Sequence, residues 1–404
     1  MNVDPVRSSL RCATPTVPAA RSPRRLPHRW PASLRPDRLD ALGVATPFLA
    51  VDPALVSAKV QALRAALPGV QPFYAVKCNP EPAVLQAVAA AGGSFEIASA
   101  GEWEILSALG VDAADVLYSN PVKPAGHIAA TAAAGVWRFA VDSAGEVDKV
   151  AREAPGAAVH VRVAVDDTDS VFPLSRKFGV TPDRAVDLLR RARARGLQPY
   201  GLTFHVGSQC STPAAWTRAV GSLAGAMSTL AQDGITLTML DLGGGLPAWY
   251  GSAVPGVEEV AEAVERGLRL LPYRPALLAA EPGRHVVAEA AVMVYTVIGR
   301  ERRGDREWLY LDVGGYHGMI ETQQTAGGWE YPLWTSRSAG PAGTVPYVVT
   351  GPTCDSADTM FHDVELPADL AEGDRVHIGS TGAYTLSYAS SFNGFPPPAT
   401  VVLR

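Results

Sequence analysis

From residue 44 to residue 290, short β-rich apolar runs alternate with Ala-, Leu- and Arg-rich stretches at helical spacing, a rhythm that predicts successive strand–helix units. The predicted strands are Gln71 to Val76, Ser94 to Ile97, Val116 to Ser119, Arg138 to Val141, Val159 to Val165, Gly201 to His205, Met239 to Leu242 and Ala276 to Ala280. Eight such units predict an α/β fold with a closed (β/α)8 barrel, in which catalytic groups gather at the C-terminal ends of the strands. After Glu289 the texture changes to Val-, Tyr- and Thr-rich runs broken by Gly and Pro, which predicts an all-β domain over residues 291–404, joined by residues 39–50. Gly327 to Val345, rich in Gly, Pro, Ser and Trp, reads as a long loop that covers a site or meets a partner.

Residues 1–38 are different material, with eight Arg, two Asp, seven Pro and no sustained periodicity, and they read as a disordered tail. An Arg-rich, acid-poor leader is also the composition of an organelle transit peptide, but scattered prolines would break the amphipathic helix such a leader needs. The other 366 or so residues are ample for sizeable cores at 47% hydrophobic content overall. A formal net charge of -5 argues against nucleic acid or an anionic membrane as partner, and no apolar stretch is long enough to span a bilayer. Cys12, Cys78, Cys210 and Cys354 lack metal-site spacing, so the expectation is free thiols, no metal, and the cytoplasm.

Candidate chemistry clusters where the apolar runs end. Lys77 closes the run Phe73-Tyr74-Ala75-Val76, where burial and charged neighbours can tune an amine into a Schiff-base nucleophile; a lysine snorkelling at a strand end is the plainer alternative. Gly243-Gly244-Gly245 follows a strand and lets backbone N–H groups approach an anion closely, as a phosphate nest or simply as a tight turn. Glu281 stands three residues before Arg284 and could merely pair with it; Ser208, Tyr384 and Arg284 offer donors suited to phosphate. His205 could be a satisfied core histidine. Cys354, in a Gly-Pro-Thr-Cys-Asp turn, is poorly placed to fill a core, and a thiol with an ordinary pKa near ~8.5 keeps a proton to deliver at neutral pH.

Taken in order, Lys77, His205-Val206-Gly207-Ser208, Asp241-Leu242-Gly243-Gly244-Gly245, Glu281-Pro282-Gly283-Arg284, Gly351-Pro352-Thr353-Cys354-Asp355 and Gly382-Ala383-Tyr384 resemble the group IV decarboxylases. These are pyridoxal-phosphate enzymes of the alanine-racemase-like fold, and the resemblance, strongest to ornithine decarboxylase, spans about residues 44–395. It implies that Lys77 carries the cofactor, that Ser208, Gly243, Gly244, Gly245, Gly283, Arg284 and Tyr384 surround its phosphate, and that His205 stacks on its ring. Glu281 then holds a proton on the pyridine nitrogen, making the ring an electron sink; alanine racemases place an arginine there, so a glutamate favours loss of CO2. Glu96 matches an acidic position near the ring. Cys354, as proton donor, and Asp355 enter the site from the other subunit of a homodimer, and Phe392 matches an aromatic near the substrate.

The resemblance departs from its pattern at the far end of the substrate. Asp355 supplies one acid for a distal amine, but the second aligns near Thr325, and Glu321 is the available replacement. The implied reaction is decarboxylation of an L-amino acid, most readily a basic one such as ornithine or lysine or a modified relative. Three rivals stand beside it: a diaminopimelate decarboxylase, whose thiol is normally followed by Glu; a racemase, against which Glu281 weighs; and a catalytically silent binding protein, against which Lys77 and Cys354 weigh.

Overall fold

The computed structural model describes residues 30–325 and 330–404. In chain order its strands are β1 (Phe48–Val51), β2 (Val70–Ala75), β3 (Ser94–Ile97), β4 (Val116–Tyr118), β5 (Arg138–Val141), β6 (Ala158–Arg162), β7 (Ser170–Phe172), β8 (Gln198–Thr203), β9 (Ser208–Cys210), β10 (Met239–Asp241) and β11 (Leu277–Ala280). These are followed by β12 (Ala291–Arg303), β13 (Arg306–Leu311), β14 (Leu333–Thr335), β15 (Thr344–Thr350), β16 (Thr359–Pro367), β17 (Arg375–Gly379) and β18 (Ala399–Val402). Strands β2 to β6, β8, β10 and β11 pair in parallel and close into the expected eight-stranded barrel, while β7 and β9 form a separate antiparallel ribbon.

Side-chain oxygens start the intervening helices where the sequence turns from strand to helix. Asp52 accepts from the Ala54 N–H, Ser99 from Glu102, Ser143 from Glu146 and Thr181 from Arg184, each satisfying a backbone donor that the helix itself leaves open. The inward stripe of each helix then buries apolar residues such as Val56, Val60 and Leu63, or Ala185, Leu188 and Leu189, against the outside of the barrel.

Strand register dictates the barrel interior, because alternate residues face inward. The pairs Phe73↔Ser94, Ala75↔Glu96, Glu96↔Leu117, Arg162↔Thr203 and Asp241↔Thr203 put Phe73, Leu117, Met239 and Ala279 on one side of the sheet, where they form a small apolar plug. On that same side, nearer the C-terminal rim, stand Glu96, Arg162, Thr203 and Asp241. The rim is therefore polar; below it the plug shares the buried interior with His160 and with Arg138, which stacks over the Phe73 ring at 5.2 Å.

The second sheet runs β14-β17-β12-β13-β15-β16, and β1 joins it, antiparallel to β12 and parallel to β18. Two expectations need correction. Residues 30–38 are not a loose tail: a short helix at Pro36–Asp40 and the turn before it bury Leu34 and Leu39 against Phe48, Ala50, Val292 and Val294. The expected disorder of residues 1–29 lies outside the described residues. Nor is Gly327–Val345 wholly a loop, since Leu333–Thr335 forms β14 by pairing with β17. Among the described residues no helix is long and apolar enough to cross a membrane.

Candidate active site

A narrow cleft opens at the C-terminal rim, lined by Ala75, Lys77, His205, Ser208, Gly244, Leu246, Glu281 and Arg284 among others. Each candidate arrives there because a barrel strand has just ended. Lys77 follows β2 in a single 3-10 turn, His205 lies two residues beyond β8, the glycines follow β10, and Glu281 is the first residue after β11. Tyr384 comes instead from the β domain. Its backbone N–H donates to the Cys78 carbonyl at 2.9 Å, and Asn79 Nδ2 donates to the Gly382 carbonyl at 2.9 Å, so the Gly382-Ala383-Tyr384 turn is tied to the residues flanking Lys77. Tyr384 adopts φ +54°, a conformation costly for a bulky side chain, which the surrounding contacts must impose.

Lys77 donates from Nζ to Glu96, whose carboxylate is only 2% exposed. Burial opposes the Lys77 charge, but Glu96, Tyr384 and Glu281 outweigh it and hold the amine protonated beyond the ordinary lysine range. Glu281 is pushed the other way: burial first, then the carboxyls of Asp241 and Glu96, raise it well above a normal glutamate. Its Oε1 is buried with no hydrogen-bond partner among the described residues, and it does not pair with Arg284. Asp241, which accepts from Thr203 Oγ1 at 2.7 Å and from the Gly243 N–H at 2.9 Å, is itself raised to about 6 by burial. Burial, helped by Arg162 and Lys77, drives His205 down to about 3, so the ring is neutral. Its Nδ1 accepts from the Gly207 N–H at 3.0 Å, which leaves the proton on Nε2.

The glycines are required by space as well as by conformation. Gly243 and Gly245 have φ of +63° and +101°, and a Cβ on Gly244 would lie 2.8 Å from the Glu281 carbonyl and 2.9 Å from His205 Nε2. Arg284 reaches the same end of the cleft, where its Nε donates to Ser208 Oγ at 3.3 Å. Its Nη1 donates to Tyr250 Oη at 2.9 Å, and its Nη1 and Nη2 donate to the two carboxylate oxygens of Glu321 at 2.8 and 2.5 Å. The rings of Phe172, Tyr250 and Tyr384 surround the guanidinium at 4.9–5.6 Å. Glu321, expected at the distal end of a substrate, is thus engaged by Arg284, and both side chains are about 95% buried.

Cys354, Asp355 and Phe392 do not line this cleft. They form an exposed cluster: Asn393 Nδ2 donates to Cys354 Sγ at 3.3 Å, Tyr316 Oη donates to Asp355 Oδ2 at 2.6 Å, and the Tyr316 and Phe392 rings stand 4.7 Å apart. The Tyr316 hydroxyl and the Ala357 N–H hold the Asp355 carboxyl below the usual range, so it is an anion on the surface. Cys78 and Cys210 are free and buried; Cys12 lies outside the described residues.

Two neighbours of the cleft escaped the sequence reading. Glu102 accepts from the Ala98 N–H at 2.6 Å and is raised to about 7 by burial and by Glu96. The Ser99-x-x-Glu102 spacing marks a helix start, but nothing in it announces proximity to Lys77. Tyr250, the second partner of Arg284, carries no sequence signal.

These residues fit pyridoxal phosphate. A primary amine for the aldehyde, a glycine nest with Ser208, Tyr384 and Arg284 for the phosphate, a neutral flat imidazole for a ring face, and an orphaned buried carboxyl oxygen for a ring nitrogen share one cleft. Residues 54–288 match the pyridoxal binding domain of the pyridoxal-dependent decarboxylases. The chain is 37% identical over 366 residues to a lysine/ornithine decarboxylase of Selenomonas ruminantium, covering 89% of this chain and 90% of that protein. It is 33% identical over 364 residues to a chloroplastic ornithine decarboxylase of Nicotiana glauca, covering 88% and 83%. A lysine/ornithine decarboxylase from Vibrio vulnificus, solved with cadaverine, superimposes with a TM-score of 0.84 at 32% identity, covering 92% of this chain and all of that one. With matching of this extent in both sequence and fold, the chain belongs to the fold type III pyridoxal-phosphate-dependent decarboxylases, in the branch of ornithine decarboxylase.

Proposed function

We propose that this protein removes the α-carboxylate of a basic L-amino acid, ornithine or lysine or a close relative, as a cytoplasmic homodimer with shared sites. The observation that carries the reading is the meeting of the Lys77 amine, the neutral His205 ring and the buried Glu281 carboxyl, whose Oε1 has no hydrogen-bond partner among the described residues, in one cleft. Pyridoxal phosphate, when bound, supplies an electron sink for the charge left on the α-carbon as CO2 departs. Lys77 must lose its proton before its amine can act as a nucleophile, and Glu96, already hydrogen-bonded to Nζ, is the nearest acceptor. Glu281, kept protonated by burial and two carboxyl neighbours, has a proton to share with a ring nitrogen. His205 stays uncharged and so offers a flat, weakly hydrated face. Glu281→Gln preserves shape without that acid, and we expect kcat to fall roughly 10²-fold with KM little changed; equal kcat in the variant would remove Glu281 from the chemistry.

Cys354 and Asp355 serve the neighbouring subunit in this reading, with the thiol returning a proton to the α-carbon and the Asp355 carboxylate meeting a distal ammonium. Support comes from the exposure of that cluster, from the anionic state of Asp355, and from the Vibrio vulnificus relative, solved with cadaverine and with putrescine. Those diamines correspond to lysine and ornithine without CO2. Incubation with a panel of amino acids should release CO2 from ornithine or lysine, and Asp355→Asn should lower kcat/KM for them by about 10–100-fold, the scale of one charge-assisted contact of ~1.5–3 kcal/mol. Intact ornithine and lysine beside fully bound cofactor would sink the substrate reading.

A further inference from the structure

Arg284 and Glu321 form the most deeply buried ion pair at the cleft, and the reaction proposed above gives Glu321 no task. The carboxylate comes from the other sheet domain, on the short helix Ile320–Gln324, which is held by Gln323 Nε2 donating to the Ala357 carbonyl at 2.6 Å. Both of its oxygens face the guanidinium, and Tyr331 Oη donates to one of them at 3.5 Å. Arg284 is at the same time a lining residue of the cleft and a donor to Ser208.

We propose that Glu321 is a built-in counter-anion for Arg284, competing with the cofactor's phosphate for the guanidinium while keeping the site folded when no phosphate is present. The proposal rests on the reading that Arg284 stands at the phosphate end. A guanidinium is permanently charged, and burying it without a partner is strongly unfavourable. Glu321 meets that need from within the chain. The same carboxylate makes the pair electrically neutral and repels an incoming anion, an effect that is large where water is excluded. One substitution therefore acts in two directions: it tightens phosphate binding and loosens the fold that lacks phosphate. A residue with only a structural role would weaken both.

Glu321→Gln keeps the shape and one acceptor but removes the charge. Dissociation constants for pyridoxal phosphate and for pyridoxal, measured by absorbance titration of wild type and variant, give the preference for the phosphorylated form. We expect that preference to rise about tenfold or more in Glu321→Gln. The melting temperature of the cofactor-free variant should fall, and inorganic phosphate should restore more of it than an equal concentration of chloride. A preference that is unchanged or lower overturns the proposal. If Glu321→Gln does not accumulate, Glu321→Asp, which keeps the charge but shortens its reach, decides: a smaller rise supports the role and no rise overturns it. Arg284→Gln separates this from the reading beneath it. Loss of phosphate preference there, with no gain in the Glu321 variants, overturns the counter-anion role and leaves Arg284 at the phosphate; no loss there overturns both.

Discussion

We expect Lys77→Ala to abolish decarboxylation, with kcat/KM falling by roughly three powers of ten or more, because in the proposed mechanism the variant loses both the covalent tether and the amine that moves protons beside the α-carbon. The side chain sits at the one point where a strand end, an acceptor carboxylate and the cleft coincide, so no neighbouring amine can take its place. Lys123, buried beside the barrel wall, donates to the carbonyls of Asn120, Pro121 and Ala140 and is committed elsewhere. Glu96 loses its hydrogen-bond partner in the variant, and we expect the fold to survive that loss, which an unchanged circular dichroism spectrum would check. Borohydride reduction followed by peptide mass spectrometry should find a cofactor adduct on the Lys77 peptide of wild type and none in the variant, and a small primary amine added to the variant should recover part of the rate. An adduct on another lysine with full activity would displace Lys77 from its role.

The second large effect is a recovery. Lys77→Ala and Cys354→Ala preparations, each nearly inactive, should regain about a quarter of the wild-type rate when mixed and allowed to exchange subunits. In the proposed homodimer, random exchange makes half of the dimers hybrids, and each hybrid would have one cleft in which Lys77 of one chain meets Cys354 of the other. The expectation follows from the placement of Cys354, Asp355 and Phe392 outside the cleft that holds Lys77. No recovery, in a mixture shown to have exchanged, would mean that each chain completes its own site.

The parts of this fold that periodicity controls were legible in the sequence. Strands such as Ser94–Ile97 and Arg138–Val141 match their expected limits because an apolar run flanked by helical spacing leaves no other choice. The residues at their ends follow from the barrel itself, which is why Lys77, His205, Gly244 and Glu281 converge as expected. What remained hidden depends on contacts distant in sequence. Leu34 and Leu39 look like isolated apolar residues among Arg and Pro until Val292 and Val294 are placed against them. Strand β14 has three residues, too few to display an alternation. Glu321 lies 37 positions from Arg284 and in the other domain, so its similarity to a substrate-binding acid could be read but its engagement could not. Separation in sequence, rather than ambiguity in chemistry, set that limit.

Strand β1 precedes the whole barrel yet lies in the other sheet, between β12 and β18. During synthesis it emerges more than two hundred residues before either of its neighbours, so on the ribosome it must wait, unpaired, while the barrel assembles behind it. Neither half is therefore a self-sufficient fragment: cut at the apparent boundary, one piece keeps a stranded edge and the other loses an inner rung. Joining early and late segments in one sheet makes the placement of the Gly382-Ala383-Tyr384 turn beside Lys77 depend on parts of the chain more than three hundred residues apart.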